Sequence, residues 1–189
     1  MKSLKMLAVI LLAGTVVASA LMSTAEADPG KVKLTVACTG AGGTVTVTNG
    51  GNAVVVGSCT INGGPGPVPI PLSSDVDVKI AAAAGVGVTV IINDAAGDHH
   101  YNVKGDVSDD LVTYTDAAGN DKVDFNGGGG SNSLTVSDAD GNDKYNAKDT
   151  LMDITDDAGN DKYEGKDISA FLFADNVAGD KDEIGVKTG

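Results

Sequence analysis

The feature that most restricts how this chain can fold is an acidic unit repeated five times in its C-terminal half. Asp94-Ala95-Ala96-Gly97-Asp98 is followed by Asp116-Ala117-Ala118-Gly119-Asn120-Asp121-Lys122-Val123, and then by Asp138-Ala139-Asp140-Gly141-Asn142-Asp143-Lys144-Tyr145. Asp156-Asp157-Ala158-Gly159-Asn160-Asp161-Lys162-Tyr163 is the fourth copy, and Asp175-Asn176-Val177-Ala178-Gly179-Asp180 closes the series with one extra residue. The leading aspartates stand 22, 22, 18 and 19 residues apart.

The flanks of the unit have a period of two. Four residues before each leading aspartate stand Val90, Val112, Leu134, Met152 and Phe171, and two before it Ile92, Tyr114, Val136, Ile154 and Phe173. Mostly polar residues fall between these columns, which marks a half-buried strand entering the turn in every copy. On the far side Tyr101, Val123, Tyr145 and Tyr163 begin a second short strand. A strand, an acidic turn and a strand cannot bury their apolar face alone. Stacked copies can, because each strand then pairs in parallel with its counterpart about 4.8 Å along. The expected fold is therefore all-β, a parallel β-solenoid of the β-roll or β-helix kind, with short strands and acidic turns. Returns of different length, 104–110 and 126–132 against 148–150, fit this scheme, since insertions in a solenoid collect in loops.

Stacking also brings the aspartates into ladders. Two carboxylates about 5 Å apart repel by roughly 0.8 kcal/mol in water and by about 3 kcal/mol at an effective dielectric of 20. Five coils with two acids each would cost more than a small domain has to spare. Lys122, Lys144 and Lys162 follow the second aspartate, but strand alternation turns them to the opposite face. The expected counter-ion is Ca²⁺, which accepts six to eight oxygens in flexible geometry.

The Gly-Asn-Asp-Lys-Tyr stretch, with an aspartate three residues before the glycine, resembles the haemolysin-type (RTX) calcium-binding nonapeptide. The resemblance covers about residues 94–182. It aligns Gly119, Gly141 and Gly159 with the last glycine of that motif, Asp121, Asp143 and Asp161 with its ligand aspartate, and Val123, Tyr145 and Tyr163 with its inward apolar residue. The family's leading glycine pair is here Asp-Ala or Asp-Asp, and the unit occurs once per coil instead of twice. Repeat and resemblance together imply a calcium ligand set drawn from Asp116, Asn120, Asp121, Asp138, Asp140, Asn142, Asp143, Asp156, Asp157, Asn160, Asp161, Asp175 and Asp180.

Acid is supplied as 23 Asp and only three Glu, in a chain without Arg, Gln or Trp. Asp favours turns and caps over helix, in keeping with an all-β chain. Residues 94–189 hold 20 Asp, two Glu and eight Lys, a net charge of −14, whereas residues 28–93 are neutral. Such a half repels nucleic acid and anionic membranes and attracts cations.

Residues 1–27 read as a signal peptide: Lys2 and Lys5 open it, residues 6–12 are apolar, and Ala25-Glu26-Ala27 offers the favoured cleavage site. No later segment is apolar enough to span a bilayer. An exported chain with two cysteines, Cys38 and Cys59, is expected to join them as a disulfide. Residues 28–93 form a neutral β region, either the first coils of the solenoid or a separate disulfide-stapled cap; residues 94–189 form the acidic solenoid. Catalytic patterns are lacking: His99 and His100 are adjacent and point apart, no serine lies in a nucleophile elbow, and 127–130 has no phosphate-loop lysine. The chain is expected to be a secreted calcium-binding protein and not an enzyme. The alternative expectation is a structural or adhesive surface protein that assembles with itself, or with other surface or matrix components, through solenoid ends.

Overall fold

The computed structural model describes residues 30–189 apart from residues 41, 84 and 107. The signal peptide expected over residues 1–27 lies outside the described residues. Among the described residues there is no helix; sixteen strands form two eight-stranded sheets facing each other across one core. The chain passes from one sheet to the other in every coil. The first sheet contains β1 (Val32–Cys38), β6 (Val76–Ile80), β8 (His100–Lys104), β10 (Lys122–Asn126), β12 (Lys144–Lys148), β14 (Lys162–Lys166) and β16 (Glu183–Lys187), all paired in parallel. The second contains β2 (Gly43–Thr48), β7 (Val88–Asn93), β9 (Leu111–Thr115), β11 (Ser133–Asp138), β13 (Leu151–Asp156) and β15 (Ala170–Asp175), likewise parallel. This is a β-solenoid.

Register follows the repeat. Val123 pairs with Tyr145 and Tyr145 with Tyr163, while Leu134 pairs with Met152, so the apolar columns of the sequence become continuous stripes. Tyr101, Tyr114, Tyr145 and Tyr163 are fully buried, and Tyr145 stacks on Tyr163 with ring centroids 5.3 Å apart. Each Val, Leu or Ile enclosed between the sheets contributes about 1.5–3 kcal/mol of transfer free energy, which is why short strands suffice once stacked.

The edge of the sandwich opposite the acidic turns carries the returns. Long and short returns keep the same register because left-handed residues take up the difference. Gly128, Gly129 and Gly130 have φ of 74°, 127° and 80° in one, and Asp149 has φ of 53° in the other. Buried acid on this edge is fully bonded. Asp110 accepts the Val88 N–H at 3.1 Å and the Asp106 N–H at 3.1 Å, one on each oxygen. Asn132 accepts the Asp110 N–H at 2.8 Å and donates to the Gly127 carbonyl at 2.9 Å.

The two ends of the solenoid differ. At the N-terminal end β4 (Cys59–Ile61) runs antiparallel to β1, and β3 (Asn52–Val56) antiparallel to β2, with β5 (Val68–Pro69) beside it. The disulfide Cys38–Cys59 joins β1 to β4. The neutral region thus supplies both coils, β1/β2 and β6/β7, and an antiparallel cover over the first of them. At the other end β15 and β16 are edge strands. No helix of the described residues is long and apolar enough to cross a membrane.

Candidate metal centre

The leading aspartates do not leave the strand pattern when the chain turns. Val90, Ile92 and Asp94 are spaced by two, and so are Leu134, Val136 and Asp138, so strand alternation carries each aspartate inward behind its two apolar neighbours. Asp94, Asp116, Asp138 and Asp156 are buried, the last with no exposed surface. The residue before each of β8, β10, β12 and β14 obeys the same parity: His99, Asp121, Asp143 and Asp161 are buried beside Tyr101, Val123, Tyr145 and Tyr163. Two files of acid therefore face each other inside the turn edge.

Their bonding leaves oxygens over. In the second file each carboxylate caps the amide one coil upstream. Asp121 Oδ1 accepts the His99 N–H at 2.7 Å, Asp143 Oδ1 that of Asp121, Asp161 Oδ1 that of Asp143 at 2.5 Å, and Asp182 Oδ1 that of Asp161 at 3.0 Å. Tyrosine hydroxyls serve the leading file: Tyr101 donates to Asp94 Oδ2 at 2.9 Å, Tyr145 to Asp138 Oδ2 at 2.8 Å and Tyr163 to Asp156 Oδ2 at 2.9 Å. Tyr114 donates instead across the core to Asp121 Oδ2 at 2.5 Å. Asp94 Oδ1, Asp116 Oδ2, Asp138 Oδ1, Asp156 Oδ1, Asp161 Oδ2 and Asp180 Oδ2 have no hydrogen-bond partner. A buried carboxylate oxygen without a donor is costly, and six along one edge, beside a return edge whose acids are satisfied, leave that edge open to a proton or a cation.

The carboxylates converge in groups whose ligand atoms lie within 4.8 Å of one another: Asp116, Asp138 and Asp143; Asp138, Asp156 and Asp161; and, half-exposed or exposed at the open end, Asp175, Asp180 and Asp182. Asp138 belongs to two of them. The first acidic turn differs, because Asp94 and Asp121 meet His99 there. His99 Nδ1 is 2.9 Å from Asp94 Oδ2 and 3.7 Å from Asp121 Oδ1, and its Nε2 is 2.6 Å from the Leu72 carbonyl oxygen. That group offers two carboxylates where the next two offer three.

Electrostatics mark the same residues. Burial, reinforced by the charges of Asp138 and Asp94, pushes the Asp116 carboxyl up to about 6. Asp121 rises to about 7, again through burial, against the opposing effect of the Tyr114 and His99 hydrogen bonds. Burial also lifts Asp161 to about 8 and raises Asp143, the latter reinforced by its contact with Asp138. Asp156 is raised by burial, partly offset by the Tyr163 hydroxyl. Without a cation these clusters hold protons at pH values where carboxylic acids are ordinarily ionised.

Of the ligands expected from sequence, Asp116, Asp138, Asp143, Asp156 and Asp161 come together, Asp121 lies with Asp94 and His99, and Asp175 and Asp180 meet at the last turn. Asn120, Asn142 and Asn160 face outward and form an amide ladder: Asn120 Nδ2 donates to Asp98 at 3.1 Å, Asn142 to Asn120 at 3.2 Å and Asn160 to Asn142 at 3.2 Å. Asp140 and Asp157 are exposed, and Asp157 accepts from Asn176 at 2.7 Å. Asp94, Asp182 and the tyrosine hydroxyls join the site beyond the ligands expected from sequence; the period of two that places Tyr145 and Tyr163 inward signals apolar packing and is silent on their hydroxyls. Comparison with protein-family models, with curated proteins and with solved structures returned no match.

Proposed function

We propose that this is an exported calcium-binding β-solenoid protein, whose buried aspartate files take up Ca²⁺ outside the cell and are thereby locked into the folded state. The observation that carries this reading is the set of unpartnered carboxylate oxygens inside two three-aspartate clusters that share Asp138. Three carboxylates supply up to six oxygens, which suits an ion that accepts bidentate carboxylates in irregular geometry. Mg²⁺ demands a near-ideal octahedron and keeps its water, and Zn²⁺ prefers nitrogen and sulfur, neither of which these two clusters contain. Export is supported by the Cys38–Cys59 disulfide, a bond of oxidising compartments. The haemolysin-type resemblance of the Gly-x-Asp turns points the same way. In this reading the chain is a binding protein and not a catalyst, and the medium decides when it is stable: millimolar Ca²⁺ outside favours the coil stack, scarce Ca²⁺ inside does not.

Isothermal titration of the chelator-treated protein with Ca²⁺, in two buffers of different ionisation enthalpy, tests this directly. Binding should release protons, because the clusters exchange bound protons for metal. No heat at millimolar Ca²⁺, together with an unchanged circular dichroism spectrum and melting curve, would sink the proposal.

A further inference from the structure

The two ends of the solenoid present different edges. At the N-terminal end the outermost strands are the short β4 and β5, whereas at the other end, among the described residues, β15 and β16 present unpaired backbone along their outer sides. Apolar side chains reach solvent along them: Leu172 is 52 % exposed and Ile184 46 %, with Phe171 and Phe173 only half-buried, and the exposed Glu183 and Lys187 flank the apolar residues of β16. An unpaired edge that shows apolar side chains is a template for another strand.

The two edge strands specify which strand. From Ala170 to Ala174 the sequence of β15, Ala-Phe-Leu-Phe-Ala, reads the same in both directions. β16, Glu-Ile-Gly-Val-Lys, when reversed sets Glu183 against Lys187 and Ile184 against Val186. Each is therefore complementary to an antiparallel copy of itself, one centred on Leu172 and the other on Gly185.

The two centres also lie opposite each other across the core. Asp175 and Asp182 meet at the turn edge. Steps of two inward from there pass Phe173 and then Phe171 on one sheet, and Ile184 and then Val186 on the other. Tyr163, which pairs in register with Ile184, packs against Phe173 with ring centroids 5.1 Å apart and confirms the match. Leu172 and Gly185, the midpoints, stand at one level. A single two-fold axis perpendicular to both sheets can pass through the pair of them.

We propose that a second copy of this chain docks on this end about that axis, β15 against its own copy and β16 against its own, so that both sheets run on without a break. The pairing forms two Glu183–Lys187 ion pairs, sets Phe171 against Phe173 and Ile184 against Val186 on the inner faces, and brings Leu172 against its own copy on the outside. Because the interface is isologous, each copy uses up its own docking edge, so assembly through it closes at two copies and does not continue into a filament.

Sedimentation velocity of the purified protein, from about micromolar to about millimolar concentration, reads this as a mass twice that of the monomer. Leu172→Lys places two like charges together on the axis while its side chain points away from the core. It should weaken the dimer by about tenfold or more with the circular dichroism spectrum unchanged. Lys187→Glu sets acid against acid twice and should do the same, and Lys187→Glu combined with Glu183→Lys should restore association. A fold defect would show no such rescue. A protein that stays monomeric throughout, a dimer indifferent to Leu172→Lys, a charge reversal without rescue, or growth beyond two copies each overturns the proposal. The series is run in Ca²⁺ and in EDTA; a dimer with this mutational pattern in either medium upholds the interface whatever the calcium titration gives.

Discussion

Stripping divalent cations and then raising the pH should destabilise this protein, the reverse of ordinary acid denaturation. Asp116 shows why. Its carboxyl stands at about 6 in the folded chain against 3.8 ordinarily, through burial and then the charges of Asp138 and Asp94. A group whose folded pKa is raised contributes stability that is complete below the unfolded value and is lost as pH climbs through the folded one. Two pKa units correspond to about 3 kcal/mol, a large share of the 5–15 kcal/mol that holds a domain folded. Asp121 at about 7 and Asp161 at about 8 carry the loss on through neutrality. Urea denaturation followed by far-ultraviolet circular dichroism in EDTA should therefore show a midpoint that falls between about pH 5 and about pH 9. In millimolar Ca²⁺ the fall should vanish, because the cation then neutralises the carboxylates in place of protons. A midpoint in EDTA that is flat or rises across this range would refute the reasoning, and so would an equal slope with and without calcium.

Four further outcomes are expected. Asp138→Asn, which removes a charge from both buried three-aspartate clusters, should lower the calcium stoichiometry by more than Asp116→Asn, which touches one; counting bound metal after gel filtration decides it. Gly119→Ala would place a Cβ 1.9 Å from the Gly97 carbonyl oxygen at a φ of +152°, so the two coils would have to part, at a cost of about 2–4 kcal/mol in a urea titration. Gly66→Ala, with open space around it, should be close to neutral. Removing the disulfide by Cys38→Ser with Cys59→Ser frees a loop of 21 residues and should cost about 3 kcal/mol, seen as a lower thermal midpoint with the acidic coils still the last to melt in hydrogen exchange.

Much of the fold was legible before any coordinates. The spacing of two between Val112 and Tyr114, or between Met152 and Ile154, assigns strands and their inner faces. The offsets of 22 and 18 residues between copies reappear as the register that sets Leu134 beside Val112 and Met152. These properties are local or strictly periodic, and periodicity survives translation into space. The candidate site was half legible. The aspartates announced themselves by repetition, yet as turn residues, with Asn120, Asn142, Asn160, Asp140 and Asp157 counted beside them. Their separation into a buried file and an outer ladder depends on whether strand alternation continues through Asp138 and resumes at Asp143, and a four-residue turn between two sheets does not declare that in its composition.

The sequence by itself determined the coil, the apolar columns and the surplus of negative charge, since each follows from residue identity at fixed intervals. Only the tertiary structure decided that the charge lies inside. Closing the two sheets over the turn edge takes Asp116, Asp138, Asp143, Asp156 and Asp161 out of water together, and burial is what turns carboxylates that would be mere solubilising groups into acids held well above their usual titration range. It also decided that the two ends differ, because among the described residues antiparallel strands of the neutral region lie outside β1 and β2, and none lies outside β15 and β16.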